Sequence, residues 1–429
     1  MERWVTEKAK KLILGTLRAV QGGSLEVVCA ERTYALGGQS ADLRATILVH
    51  NDRFFRRALL GGDIGMGESY MDGDWSSPNL VSVIRLAVRN LQILEEENRS
   101  FSILSRFLNL LRHRRRPNTL EGSRRNIREH YDLSNDFFRL FLDRQMVYSC
   151  AFYETADDSL ETAQINKLDR ICRKLNLGPA DHVLEIGTGW GAFAAHAAGH
   201  YGCRVTTTTI SEEQYRHALD LAARLGDSGR RIEVLKTDYR KLSGAYDKIV
   251  SIEMFEAVGL EHYDDFFAAC DRHLKRNGTM LLQTITINEQ KFPSYRKSSD
   301  WIQKHIFPGS ELASLVEILR SLARCTRMSL FHAEDIGAHY ARTLHSWRER
   351  FLENADAVRR LGFDERFIRM WEFYLAYCEG GFLERHISDV QLLLTKNYNR
   401  LGLLGEPWGS ETGESHAGTD SGAQSAVAG

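Results

Sequence analysis

From about residue 180 to residue 290 the chain alternates short apolar runs with stretches of helical spacing. HVLEIG is an apolar run that ends in a Gly-rich turn, and FAAHAAGHYG follows with helical periodicity. RVTTTTI, RIEVLKTD, KIVSIEMF and GTMLLQTITI read as further strands, with EEQYRHALDLAARLG and YDDFFAACDRHL as helices among them. This alternation predicts an α/β fold with a parallel, doubly wound sheet and right-handed crossovers. The first hundred residues follow another pattern. SLEVVCA and RTYALGG read as a hairpin, ATILVH as a further strand, and NDRFFRRALLGG as a helix stopped by Gly61 and Gly62. Helical periodicity returns over 79–111, and residues 310–400 add more helix. Near the N-terminus, Trp4, Val5, Leu12, Ile13, Leu17 and Val20 can share one helical face, which suits either a packed first helix or a membrane-surface helix.

The 429 residues suffice for two or three domains with sizeable cores. The patterns divide them into an N-terminal α+β domain (1–110), a basic linker (111–125), an α/β domain with helical insertions (126–405) and a tail (406–429). The tail carries acids but no Lys or Arg, and its composition is that of a disordered segment. A net charge of -1 argues against a globally basic nucleic-acid binder. Locally the charge changes: eight arginines (106, 112, 114, 115, 116, 124, 125 and 128) stand against Glu121 alone. A solvated loop, an anionic membrane surface and nucleic acid all fit such a run. Without a zinc-finger or RNP-type pattern, lipid phosphate ranks above nucleic acid. The seven cysteines are scattered, with no C-x-x-C, which fits free thiols in a reducing, cytoplasmic setting and disfavours a metal site. No apolar run approaches the ~20 residues of a membrane span, and the N-terminus shows no cleavage signal.

The candidate chemistry begins at Val183-Leu184-Glu185-Ile186-Gly187-Thr188-Gly189-Trp190-Gly191. Glycines at the carboxyl end of a strand let the backbone approach a ligand. With Ala192 the loop also satisfies G-x-G-x-x-A, so a dinucleotide site and a merely structural turn are alternatives. Glu185 inside the motif would repel a pyrophosphate and suits a ligand's ammonium instead. The strand–acid–x–G–x–G–x–G arrangement resembles motif I of class I S-adenosylmethionine methyltransferases. On that reading Asp238 accepts from the adenine amine and Tyr239 covers the adenine face, with ordinary post-strand loop residues as the alternative.

The wider chain resembles the cyclopropane-fatty-acyl-phospholipid synthase family, which includes the mycolic acid cyclopropane synthases. REHYDLSNDFFRLFLDRQMVYSCAFYE (128–154), ETAQINKLDRIC, TISEEQ, TDYR, SIEMFEAVG (251–259), WIQKHIFPG (301–309) and FYLAYCEGGF (373–382) look like family blocks. Together they cover roughly 125–400. GDIGMGESYMDGDW (62–75) carries a weaker likeness to the N-terminal extension of the longer phospholipid-acting members.

The resemblance implies methyl or methylene transfer from S-adenosylmethionine to a cis double bond of a phospholipid acyl chain. The enzyme would be peripheral at an anionic membrane surface, and a homodimer is left open. By position, Tyr148, Ser149, Val183, Glu185, Gly187, Gly189, Trp190, Gly191, Thr209, Gln214, Asp238, Tyr239 and Arg240 would touch the cofactor. Cys150, Glu256, Gln283, Ile285 and Tyr340 would enclose a bound bicarbonate, with Glu256 in the central electrostatic role. Cys378 falls on the cysteine traditionally marked as active. It lies among aromatic residues, however, where a thiol packs rather than attacks. Two positions depart from the family: Gln283 and Ala257 stand where His is frequent. A glutamine amide can donate to a bicarbonate oxygen but cannot carry a proton as imidazole does. Trp301, Ile302, Ile306 and Phe307 are candidates for the wall of an acyl channel.

Overall fold

A computed structural model describes residues 2–38, 42–91, 93–94, 133–400 and 402–404. The basic linker and the acidic tail lie outside these residues, as do all eight arginines of the basic run.

The N-terminal unit opens with α1 (Glu2–Leu17). A four-stranded sheet follows, in the order β2-β1-β3-β4, from β1 (Ser24–Val28), β2 (Thr33–Gly37), β3 (Arg44–Val49) and β4 (Trp75–Ser76). The expected hairpin is present: β1 and β2 are antiparallel, and β3 runs parallel to β1 on its other side. Helix α1 divides its apolar residues between two faces. Ala9, Ile13 and Leu14 are buried, while Trp4 is 62% and Leu12 46% exposed. The second helix differs from expectation. Gly62 takes φ 57°, ψ −133°, which interrupts α2 (Arg53–Met71) without ending it. Helical backbone resumes because Ile64, Tyr70 and Met71 still have a core to enter. Helix α3 (Leu80–Arg89) is capped by the Asn79 side chain and buries Leu80, Val83, Ile84 and Leu86. Each such side chain is worth roughly 1.5–3 kcal/mol when fully buried.

The second unit is a seven-stranded sheet between helices. Its strands are β5 (His182–Ile186), β6 (Arg204–Thr208), β7 (Ile232–Leu235), β8 (Tyr246–Ile252), β9 (Leu274–Ile287), β10 (Met328–Asp335) and β11 (Ile387–Lys396). Their spatial order is β10-β11-β9-β8-β5-β6-β7. The five strands from β7 to β9 are parallel, as the alternation predicts. Strands β10 and β11 are antiparallel additions within a stretch read as helix. Their apolar runs are short, and only the pairing of β11 with β9 and of β10 with β11 shows them to be strands. The chain leaves β5 toward β6 and β7, then returns to β8 on the other side. This switch point opens a crevice at the carboxyl ends of the strands, the place where open α/β sheets take ligands.

The covering helices that matter for the site are α4 (Leu160–Lys174), α5 (Ala192–His200), α6 (Glu212–Arg224), α7 (Tyr263–His273), α8 (Leu315–Cys325), α9 (Gly337–Glu353) and α10 (Glu365–Leu383). Helix α10 joins the two units. Its Glu372 accepts from Tyr70 Oη at 2.6 Å, and its Arg369 donates to the carbonyls of Tyr70 and Trp75. Gly380 lets α3 approach closely, since a Cβ there would stand 2.7 Å from Ile84 Cγ2. Gly67 does the same for Trp301, which packs into this junction against Phe373.

Candidate active site

A cavity of about 1160 Å³ runs from the glycine turn after β5, past β8 and α10, to residues of the N-terminal unit. The turn forms one wall. Gly187 (φ 101°) and Gly189 (φ 52°) adopt backbone that favours glycine. The amides of Gly187 and Thr188 donate to the Thr208 carbonyl, which ties the turn to β6. Gly191 (φ 94°) caps α5 and faces away from the cavity, where its missing Cβ makes room for Ala218 and Leu221 of α6. Glu185 is buried on this wall with its Oε2 unpartnered. Burial pushes its carboxyl up to about 8, against the opposing pull of Thr207 and Lys167.

The other cofactor candidates divide by position. Tyr148, Ser149, Trp190, Thr209, Gln214, Asp238, Tyr239 and Arg240 all line the cavity. Thr209 Oγ1 donates to Gln214 Oε1 at 2.9 Å, and Ser149 Oγ accepts from Lys167 Nζ at 2.8 Å. The Asp238 carboxylate is held by the Arg240 guanidinium at 2.7 and 2.8 Å. Trp190 packs on Phe138 and donates to Asn135. Val183 lies instead in the apolar core between the sheet and α4 and α5.

Three of the five residues expected around bicarbonate, Cys150, Gln283 and Tyr340, converge on a side chain outside that set. Glu253, directly after β8, takes a left-handed φ of 48°, a strained conformation for a side chain of this kind. Its amide donates to the Gln283 carbonyl at 2.8 Å, which fixes the bend. Its carboxylate accepts from the Cys150 amide (2.7 Å), Gln283 Nε2 (2.8 Å) and Tyr340 Oη (2.6 Å). Glu253 and Tyr340 line the cavity, whereas Cys150 and Gln283 stand behind the carboxylate. A tethered anion therefore fills the cradle in which a bicarbonate was expected. The three donors are already used, and the residues do not fit a second anion.

Glu256 is held separately, with Oε1 accepting from Ile285 N (2.5 Å) and Thr284 Oγ1 (2.9 Å). Its Oε2 has no partner, and burial followed by the charge of Glu253 pushes its carboxyl up to about 7. Cys378 lines the cavity, and burial pushes its thiol far above the ordinary range, so it is a thiol there and not a nucleophilic thiolate. Ile302 and Phe307 lie on the cavity wall, while Trp301 and Ile306 are packed behind it. Glu253 is the candidate functional residue that the motif reading missed. The first acid of SIEMFEAVG was its sequence signal, but nothing local tells which of the two glutamates meets Cys150 and Tyr340.

The glycine-lined strand edge suits a sulfonium cofactor. Glu185 offers an unpaired buried oxygen to an ammonium, and no atom stands within 4 Å of where a Gly189 Cβ would lie. Fold and site together define a class I S-adenosylmethionine-dependent methyltransferase. The chain belongs to the mycolic acid cyclopropane synthetase family, which it matches over residues 118–392. It is 39% identical over 366 residues to the tuberculostearic acid methyltransferase UfaA1 of Mycobacterium tuberculosis, covering 83% of this chain and 85% of the relative. Against the cyclopropane-fatty-acyl-phospholipid synthase of Escherichia coli it is 38% identical over 364 residues, covering 84% and 89%. The crystal structure of the mycolic acid cyclopropane synthase CmaA1 complexed with SAH and CTAB superposes with a TM-score of 0.60 at 34% identity. That match covers 64% of this chain and 98% of CmaA1.

Proposed function

We propose that this methyltransferase adds one carbon to the cis double bond of an unsaturated phospholipid acyl chain, giving a cyclopropane, and that Glu253 is the base. The observation that carries this reading is a half-buried glutamate whose carboxylate is held by three donors on the wall of a long cavity that begins at the cofactor turn. S-adenosylmethionine would supply an electrophilic methyl when bound, with Glu185 placed to hold its ammonium and the open space at Gly189 admitting it closely.

An isolated alkene is a weak nucleophile and must be held in line with that methyl. Ile302, Phe307 and Tyr340 hold the hydrocarbon and exclude water. Methyl transfer leaves a cation on the acyl chain. The faces of Tyr340 and Phe382, whose rings lie 4.5 Å apart, and the Glu253 carboxylate stabilise positive charge there. Glu253 then takes a proton from the new methyl, and the released C–H electron pair closes the ring.

A specific observation favours a second reading, an open-chain methylene or methylated product. Neither Gln283 nor Ala257 offers the imidazole that is frequent at these positions, and the relative UfaA1 is named a tuberculostearic acid methyltransferase, not a cyclopropane synthase. Docking at an anionic bilayer is supported by exposed Trp4 and Leu12 on α1 beside exposed Lys8 and Lys11. The test is expression in a host lacking such lipids, with gas chromatography–mass spectrometry of total fatty acids. Phospholipid chains heavier by one CH₂ and resistant to hydrogenation support ring formation. Chains of the same mass gain that remain reducible support the methylene product. An unchanged lipid fraction refutes both.

A further inference from the structure

Behind Glu253 stands a second carboxyl group that the chemistry above does not use. Asp389 of β11 is 0% exposed. Gln283 lies between them: its Nε2 donates to Glu253 Oε1 at 2.8 Å and to Asp389 Oδ2 at 2.8 Å.

A chain of obligatory roles fixes the orientation of this amide. Lys174 Nζ can only donate, and it does so to Gln391 Oε1 at 2.7 Å. Gln391 Nε2 must then donate, and it reaches Gln283 Oε1 at 3.0 Å. The Gln283 oxygen is thereby committed as an acceptor, and its two N–H groups face the two carboxyls. No imidazole nitrogen could offer two protons from one atom.

Two carboxylates on one nitrogen, Asp389 fully buried and Glu253 half-buried on the cavity wall, strongly oppose each other's ionisation. Asp389 Oδ1 has no hydrogen-bond partner. The charged and titratable groups facing the pair are Glu256, Cys150, Tyr340, Tyr374 and Lys167. Of these only Lys167 is cationic, and its hydrogen bond goes to Ser149. One positive charge opposes two negative ones. Burial and the neighbouring Glu253 hold the Asp389 carboxyl well above its usual range.

We propose that Glu253 and Asp389 form a carboxyl dyad that holds one proton in the resting protein, with Asp389 the positioning partner that keeps Glu253 ionised and aimed at the cavity. The inference rests on Glu253 being the base. In turnover the proton leaves the new methyl of the acyl cation, its electron pair staying in the new carbon–carbon bond. It adds to the Glu253 carboxylate, so the dyad passes from one proton to two and returns to one when that proton escapes to solvent.

Infrared spectroscopy of the substrate-free protein tests the dyad. Protein labelled at the aspartate side-chain carboxyl should show a protonated aspartate band that survives at pH 9, where Asp300, pushed up to about 7, has ionised. The band should be lost in Asp389→Asn. The pH profile of kcat/KM should show an alkaline limb in the unmutated enzyme, as the dyad loses its last proton. Asp389→Asn should lack that limb. A merely structural Asp389 would leave the profile's shape unchanged in Asp389→Asn. Absence of the band from the unmutated protein, or its survival undiminished in the variant, overturns the proposal. Failure of the base reading looks different: Glu253→Gln would stay active while the aspartate band behaved as expected.

Discussion

Replacing Glu253 by Gln removes the base while sparing the frame around it. The amide oxygen can still accept from Cys150 N and Gln283 Nε2, both of which meet Oε1 in the native protein. The new NH₂ faces Tyr340 Oη, which can turn from donor to acceptor. Three charge-assisted hydrogen bonds become neutral ones, but burial of a carboxylate is relieved at the same time. The fold and cofactor binding should therefore survive. The chemical step should not. A positioned general base contributes typically 10²–10⁴-fold, or about 3–5 kcal/mol of barrier at ~1.4 kcal/mol per decade. The assay is transfer of labelled methyl from S-adenosylmethionine into lipid, with cofactor affinity followed by calorimetry. Glu253→Gly provides a second arm: it relieves the left-handed backbone and leaves Cys150 N, Gln283 Nε2 and Tyr340 Oη facing a hole. Formate or bicarbonate should restore part of its activity, whereas bicarbonate should not stimulate the unmutated enzyme. Turnover of Glu253→Gln within a few-fold of the unmutated enzyme, with the same product, would refute the reasoning.

The remaining predictions concern the rest of the cavity and the junction. Glu185 binds an ammonium only when ionised, and its carboxyl is pushed up to about 8, so cofactor affinity should rise as pH approaches 8 and fall again as the ammonium loses its proton. Calorimetry in buffers of different ionisation heat should find net proton release on binding at pH 7. Tyr340→Phe withdraws a charge-assisted donor worth about 1.5–3 kcal/mol from Glu253; the acid limb of the rate profile should move up by about one to two pH units. Cys378→Ala should keep turnover of the order of the unmutated enzyme, because the thiol is neutral on an apolar wall; a loss beyond a hundredfold with normal cofactor binding would contradict that. Gly67→Ala places a Cβ 2.4 Å from Trp301 Nε1, and overpacking of this kind costs about 1–3 kcal/mol, seen as a lower thermal midpoint.

The cofactor edge was legible in the chain because its parts are local. A strand, an acid and three glycines within Val183–Gly191 carry their own backbone requirements, and Gly187, Gly189 and Glu185 stand where that pattern implied. The parallel strands were legible for the same reason, since period and punctuation are short-range properties. Helix α2 shows the limit: Gly62 breaks the backbone, yet burial of Tyr70 and Met71 beyond it restores the helix. Strand β11 likewise exists because β9 offers an edge, and β10 because β11 extends it. The proposed base is the clearest case of what tertiary structure decided. Glu253 and Glu256 are three residues apart in one motif, and composition cannot rank them. The donors that hold Glu253 come from residues 150, 283 and 340, and its proton-sharing partner from residue 389. Solvent exclusion and charge pairing among side chains so distant in sequence arise only when the chain has closed on itself.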